Sequence, residues 1–338
     1  MSYMAQATAR PDRYLVGADQ YSSYKQNGFL KVPGLIAADD IARLLAWTED
    51  LMTGRVQVPG ADFQPSDKPN PDFLQKFTRV HMLHRLHETA EWGLLHPRVL
   101  DVLEALIGPD VTALQSMLFF NPPGRGGQGW HQDAYYIRTY PETLIGAWIA
   151  LEEADVDNGC LWVAPGSSRE PIYMAEGQDG WVHANGAFGD MQFAVNASNL
   201  DDELNSLSRV AARYPDVTPV PMKPGDVLFF ESHLLHRSYP NRTEDRLRRA
   251  YVCHYCNARS WVPWNHGSPY EGDEANHLHI LARGQTHLPY AKPAFGTPVD
   301  LPEPGSGIGK GGLPVMMASP DGNMEERQQP PGMTDDHE

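Results

Sequence analysis

The stretch GWHQDAYY, residues 129–136, sets His131 and Asp133 two positions apart, just ahead of Tyr135 and Tyr136. On an extended strand, residues i and i+2 leave the same face about 6–7 Å apart along the backbone, so an imidazole and a carboxylate there can bend onto one ion. Two histidines and a carboxylate on one face of ferrous iron form a facial triad, which leaves positions open for a cosubstrate and oxygen. The pair alone is weak ground. With 14 His and 43 acidic residues in 338 positions, about two chance pairs of the type H-x-[DE] are expected. The commoner fate of an isolated pair is a strand-end histidine hydrogen-bonded to its neighbouring Asp.

Support lies a hundred residues downstream, in GDVLFFESHLLHRSYPNRTEDRLRRAYVCHY, residues 225–255. An apolar strand leads to His236 beside a polar turn, and a second strand opens with arginines. His236 completes the triad if strand 226–230 lies alongside the strand carrying His131. An arginine on the returning strand would then face the same cavity, where its planar fork takes a carboxylate in bidentate fashion. The set suits a dicarboxylate that chelates iron at one end and pairs with Arg at the other.

Such a site needs a sheet to hold it. From residue 111 the sequence consists of short apolar runs bounded by Gly, Pro and Asn: VTALQSMLFFNPP, GWHQDAYYI, TLIGAWIALEEA, GCLWVAPGS, GDVLFFES and RRAYVCHYC. Strands this short and this frequent predict a mainly β fold, a jelly roll, rather than alternating βαβ units. Ahead of them, Ile41, Leu44, Leu45 and Leu51 recur at helical spacing behind Asp39 and Asp40, and HPRVLDVLEALIG predicts a second helix ending at Gly108. An insert at 170–220, with a helix-like NLDDELNSL, divides the jelly-roll core of 111–256 and reads as a lid. The expected organisation is one domain over 1–296 and an extended or disordered Pro/Gly-rich tail over 297–338.

Several consecutive segments together resemble the phytanoyl-CoA dioxygenase family of iron(II)/2-oxoglutarate oxygenases, which includes ectoine hydroxylase. They are QSMLFFNPPG, WHQD, WIALEEADVDNGCLWVAPGSS, GDVLFF, LLHRSYPN and RRAYVCHY, in the family's order across most of residues 25–256. The resemblance implies a double-stranded β-helix with His131, Asp133 and His236 as iron(II) ligands and catalytic residues, His236 being preferred to His233. It further implies that Arg248 anchors the distal carboxylate of 2-oxoglutarate, with Arg246 and Arg249 as alternatives because the interval from His236 is one residue longer than expected. Strand alternation makes Arg248 and Arg249 mutually exclusive as inward-facing groups. Ser238 resembles a hydroxyl that helps hold the same carboxylate, and Gln115 a polar contact from the strand before the metal motif. A family lysine near Asn121 is absent, which puts a cosubstrate contact from that position in doubt.

The implied reaction is oxidative decarboxylation of 2-oxoglutarate by O2 to succinate and carbon dioxide, coupled to hydroxylation of an unactivated C–H bond of a small molecule. The carboxylate of Asp133 favours oxygenation over halogenation, because related halogenases lack it. A jelly-roll sensor or scaffold that binds metal and ligand without oxidation is the alternative.

Tyr135, Tyr136, Trp181, Phe188 and Trp261 are candidates for walls of a substrate pocket, and an acidic surface with aromatic walls would suit a cationic substrate. The net charge of −16 argues against a general nucleic-acid or anionic-membrane binder. Without a long apolar run or an N-terminal apolar segment, the expected location is the cytoplasm. Cys160, Cys253 and Cys256 give no disulfide framework. The CHYC pair reads as two separate thiols, since i and i+3 on a strand face opposite ways. GRGGQG, residues 124–129, lacks the GK[ST] of a phosphate loop and reads as a lip before the metal strand. His81, His84 and His87, if helical, form a solvated or core-capping stripe.

Overall fold

The fold is organised by strands whose two faces serve different neighbours. In the computed structural model, residues 10–56, 64–85, 87–173, 197–262 and 279–286 are described. In chain order the elements are α1 (Ala18–Asn27), β1 (Phe29–Val32), α2 (Ala38–Met52), α3 (Pro71–Lys76), β2 (Arg79–His81), α4 (Glu88–Leu94), α5 (Pro97–Ile107), β3 (Val111–Asn121), β4 (Gln128–His131), β5 (Ile145–Ala150), β6 (Leu161–Val163), α6 (Leu207–Ala211), β7 (Thr218–Val220), β8 (Val227–Glu231), β9 (His236–Ser238), β10 (Arg248–Asn257) and β11 (Ile280–Arg283).

Among the described residues, seven strands form a large antiparallel sheet in the order β1-β8-β5-β10-β3-β11, with β2 also paired to β3. Four more form a small sheet, β4-β9-β6-β7. The two are not closed into a barrel. Met117, Trp148, Leu228 and Val252 from the large sheet meet Leu161, Val163 and Val220 from the small one in a shared apolar core. This is the expected jelly roll.

Strand β10 shows the division of labour. Tyr251, Cys253 and Tyr255 point outward into the helical layer, while Ala250 and Val252 point into the space between the sheets. Helix α2 covers the outer face with Ile41, Leu44, Trp47 and Leu51, and α5 with Val99, Val102, Leu103 and Leu106. The buried hydroxyls of Tyr251 and Tyr255 donate to the carbonyls of Ala90 and Leu94 on α4 at 2.7 Å each. Each buried phenol thus keeps a partner, as burial in an apolar layer demands. Helix α5 ends before Gly108, as its sequence predicts.

Four expectations change. Strand β8 lies between β1 and β5 in the large sheet and does not border the strand carrying His131. That place is taken by the three-residue strand β9, which contains His236 itself. His81, His84 and His87 do not share a helix: they end β2, sit in a 3-10 turn and cap α4, respectively. Residues 199–207 are mostly turn, and the helix falls at α6, where Leu207, Val210 and Ala211 pack on Trp130 and Leu235. The far end of the expected lid is therefore part of the core, since β7 pairs with β6 in the small sheet. Trp181, Phe188 and the tail 297–338 lie outside the described residues.

Candidate active site

Strands β4 and β9 pair antiparallel with His131 directly opposite His236 and an irregularity between Gln128 and His131. The two imidazole centroids lie 4.1 Å apart. Strand geometry continues through Gln132, whose backbone is extended, and Asp133 then opens a 3-10 turn. Asp133 thus reaches the cluster from the first residue of a turn rather than from within a strand. Its Oδ1 is 3.7 Å from Nε2 of both His131 and His236. One ligand atom from each of the three buried residues lies within 4.8 Å of the others, and they form the one such His/Cys/Asp/Glu group among the described residues.

The tautomers follow from the hydrogen bonds. His131 Nδ1 lies 2.8 Å from the carbonyl of Gly129, and His236 Nδ1 lies 2.9 Å from that of Leu234. A carbonyl only accepts, so each Nδ1 carries its proton and each Nε2 presents a lone pair toward the common point. Burial chiefly, aided by the neighbouring His236, holds the His131 imidazole down to about 3, so it is neutral at physiological pH. Burial alone would raise the Asp133 carboxyl, but His254, His236 and His131 outweigh it and hold it below the usual carboxylate range. His131 and Asp133 are therefore ready to donate without first losing a proton.

A residue overlooked in the sequence completes this arrangement. His254, on the inner face of β10, donates from Nε2 to Asp133 Oδ2 at 2.8 Å. That bond occupies the outer carboxylate oxygen and leaves Oδ1 turned toward the two histidines. The signal was present, since His254 is six residues after Arg248 and so shares its strand face. It sat inside CHYC, where the cysteines drew attention. Those cysteines part ways as expected, Cys253 into the helical layer and Cys256 into a separate cluster with Leu114 and Leu144.

The three arginines also separate. Arg249 faces outward and pairs with Glu152 at 2.6 Å and with Glu49. Arg246 is bound to Asp155 at 2.6 Å. Arg248 points inward, only 2% exposed, its guanidinium 5.5 Å from the Trp148 ring. It has no hydrogen bond or ion pair with any described residue, and its Nε is orphaned. Burial pulls its pKa down to about 10. A buried cation left without an anion is costly, so this group fits a ligand carboxylate.

The surroundings agree with that fit. A Cβ added at Gly159 would lie 3.6 Å from both Arg248 Nη2 and Asn121 Nδ2 and 2.5 Å from the Tyr239 carbonyl. Asn121 Nδ2 is itself buried and unpartnered. Two donors without acceptors thus converge beside a residue that has no side chain. Ser238 immediately precedes Tyr239 and is paired with Gln128 and Leu161. The donor set Nε2, Nε2 and carboxylate suits ferrous iron, and the two orphaned donors suit a carboxylate.

The aromatic candidates divide. Tyr136 lies 6.3 Å from the His131 ring, and its hydroxyl contacts Ser198 Oγ. Burial pushes that phenol up to about 12. Tyr135 stacks edge-on against Tyr136 at 4.9 Å. Trp261 packs on Tyr140 through an isolated bridge, 5.6 Å between rings. Gln115 faces inward and donates from Nε2 to His81 Nδ1 at 2.9 Å. His233 bonds the Glu170 carbonyl and an exposed Glu142, outside the trio.

One further contact fixes the metal strand. A Cβ at Gly129 would sit 1.7 Å from the Asn199 carbonyl, so that backbone approach excludes every residue except glycine. The approach is secured by Asn205, which donates to the Trp130 and Asn199 carbonyls at 3.0 and 3.1 Å, and by buried Arg237, which pairs with Asp202 and stacks 4.1 Å over Tyr239.

Comparison with known proteins places this geometry. The profile of the family described as Phytanoyl-CoA dioxygenase (PhyH) matches residues 24–250. The peroxisomal phytanoyl-CoA dioxygenase of Rattus norvegicus is 29% identical over 253 residues, 72% of this chain and 69% of that protein. The methylphosphonate hydroxylase of Gimesia maris is 26% identical over 238 residues, 69% of this chain and 78% of that protein. In fold, the chain resembles the epimerase SnoN, solved in complex with Fe3+, alpha ketoglutarate and nogalamycin RO, with a TM-score of 0.52 at 20% identity over 72% of this chain and 84% of that one. The chain therefore belongs to the phytanoyl-CoA dioxygenase family of iron(II)/2-oxoglutarate-dependent dioxygenases.

Proposed function

We propose that the protein hydroxylates an unactivated C–H bond of a small molecule, with residues 1–296 acting as one catalytic domain. The observation that carries this reading is the pairing of a buried His131–Asp133–His236 trio with an inward-facing, uncompensated Arg248 between the same two sheets. A pure scaffold has no need for a second, orphaned cation beside a metal-binding face. His131, Asp133 and His236 hold the iron, and Arg248, with Asn121 and Ser238, takes the distal carboxylate of 2-oxoglutarate. When bound, the iron would let O2 act as the oxidant, one oxygen atom going to 2-oxoglutarate as it is decarboxylated to succinate and carbon dioxide and the other to the substrate C–H bond.

The chain's own part is positioning and shielding. The Nδ1 bonds to Gly129 and Leu234 fix the orientation of both imidazoles and aim each Nε2 at the common point. His254 fixes the Asp133 carboxylate. Tyr135 and Tyr136 wall the cavity on the His131 side and keep bulk water from the reacting centre. The names of the relatives, a methylphosphonate hydroxylase among them, support hydroxylation as the outcome.

The test is succinate release from 2-oxoglutarate by purified protein with ferrous iron and oxygen. Wild-type protein is expected to turn over and His131→Ala to be inactive. Full turnover by His131→Ala would end the proposal, and metal and 2-oxoglutarate binding with no succinate across a substrate panel would favour the sensor.

A further inference from the structure

We infer that Tyr136 donates its phenolic hydroxyl to a neutral acceptor oxygen of the substrate, a carbonyl or hydroxyl group, and that Ser198 sets the direction of that hydroxyl. The inference rests on the iron and 2-oxoglutarate reading above and goes beyond it in assigning a substrate class and a specificity-determining pair. Gln128 donates from Nε2 to Ser198 Oγ at 3.2 Å, and Ser198 Oγ is hydrogen-bonded in turn to the Tyr136 hydroxyl. The two hydroxyls carry two protons and share one bond, so one O–H is left over. No other side-chain bond of Tyr136 or Ser198 among the described residues takes it. Since Ser198 already accepts from Gln128, the chain keeps one sense when Ser198 donates onward, and hydrogen bonds running in one sense strengthen one another. The unused proton is then the one on Tyr136.

Position separates this hydroxyl from the cosubstrate. The inner face of β10 carries Arg248, then His254 six positions on, then Cys256 two beyond that. His254 holds Asp133, while Cys256 packs with Leu114, Ile137 and Leu144 in the cluster against which Tyr136 rests. Along the strand the metal trio therefore lies between Arg248 and Tyr136. A dicarboxylate anchored at Arg248 does not need the phenol. A substrate arriving from the other side meets it beside His131, the two rings being 6.3 Å apart. The neighbouring side chains in that cluster are apolar, and the nearby charges of Arg79 and Asp133 act on Tyr136 with opposite signs. An otherwise apolar molecule with one neutral oxygen matches such a surface.

Ser198 is held in place at a conformational cost. Its φ is 69°, in the left-handed region where a residue with a side chain is strained and persists only if its surroundings over-determine it. Gly129 N–H donates to its carbonyl at 2.9 Å, and its own N–H donates to the Trp130 carbonyl at 3.1 Å. Asn205 and the Arg237–Asp202 pair anchor the residues that follow. The strained residue thus places one oxygen between Gln128 and Tyr136, and through it the far end of the 170–220 insert bears on specificity.

The test uses the full chain, anaerobic and saturated with ferrous iron and 2-oxoglutarate, whose own binding is measured first. Cyclohexanone and methylenecyclohexane, alike in shape but differing in the acceptor oxygen, are the probes, and binding is read by headspace partition. Wild type is expected to bind the ketone. Tyr136→Phe is expected to weaken the ketone at least fivefold, because its oxygen is then left without a partner, and to leave methylenecyclohexane within twofold of wild type. Ser198→Ala, which keeps the phenol but not its orientation, is expected to fall between. The inference is overturned if wild type does not bind the ketone, if Tyr136→Phe binds it undiminished, if both probes weaken equally, or if Tyr136→Phe loses 2-oxoglutarate. Retained 2-oxoglutarate binding in Tyr136→Phe shows a folded variant, and failure of wild type to bind 2-oxoglutarate would instead count against the underlying iron and 2-oxoglutarate reading.

Discussion

Replacing His254 by Phe isolates the contribution of one hydrogen bond to the metal site. Phe keeps the ring volume of a side chain that is 3% exposed, so packing changes little, but the donor to Asp133 Oδ2 at 2.8 Å is lost. A buried hydrogen bond to a charged group contributes about 1.5–3 kcal/mol. Here the loss falls on metal binding, because the freed carboxylate no longer holds Oδ1 beside the two Nε2 atoms. Loss of a partner that orients a metal ligand typically costs about 10–100-fold in metal affinity, which is the same range. The assay is an anaerobic competition titration of ferrous iron against a chelator of known affinity, with thermal melting of the metal-free protein as the folding control. His254→Phe is expected to bind iron at least tenfold more weakly with little change in melting temperature. His254→Gln, which restores an N–H donor, is expected to recover most of the affinity. Iron binding by His254→Phe within twofold of wild type would refute the reasoning, and equal losses in both variants would assign the effect to packing.

Arg248→Met should act in opposite directions on stability and on binding. Removing a buried cation whose pKa is already pulled down to about 10 relieves up to about 3 kcal/mol, so the metal-free melting temperature is expected to rise by several degrees, while 2-oxoglutarate affinity falls at least thirtyfold. A lower melting temperature with intact 2-oxoglutarate binding would contradict this. The metal-free protein should also lose stability as pH falls from about 6.5 toward 3. Burial holds His131 and His81 each at about 3, so in that window the unfolded chain takes up protons that the folded chain refuses, at up to about 1.4 kcal/mol per pH unit per group. Asp133, held low, adds a further loss only below its unfolded value of about 3.9. Melting curves recorded from pH 7 to pH 5 check the first window, and a flat profile would count against neutral buried imidazoles.

Much of this was legible in the sequence for a physical reason. Helices α2 and α5 carry their own apolar period and termini, and long strands such as β3, β5 and β10 carry enough apolar residues to declare themselves. The trio His131, Asp133 and His236, whose ligand atoms the fold brings together, could be named from motif order. The short strands could not: β2, β7 and β9 have three residues each, too few for a period, and β7 contains Pro219, which suits a sheet edge. Missing β9 put the wrong strand beside His131, and missing β2 left His81 in an assumed helix.

The sequence by itself determined which residues can ligate, which segments bury apolar faces, and that one arginine of the RLRR stretch must face inward. It could not decide which one. That depended on Glu152 and Glu49 taking Arg249 on the outside and Asp155 taking Arg246 at the surface, partners between 91 and 200 residues away. The same holds for His254, whose role exists only because β10 brings it to Asp133 across 121 residues. Ligand type is a local property of the chain, but whether a buried charge is paired depends on what the fold brings against it.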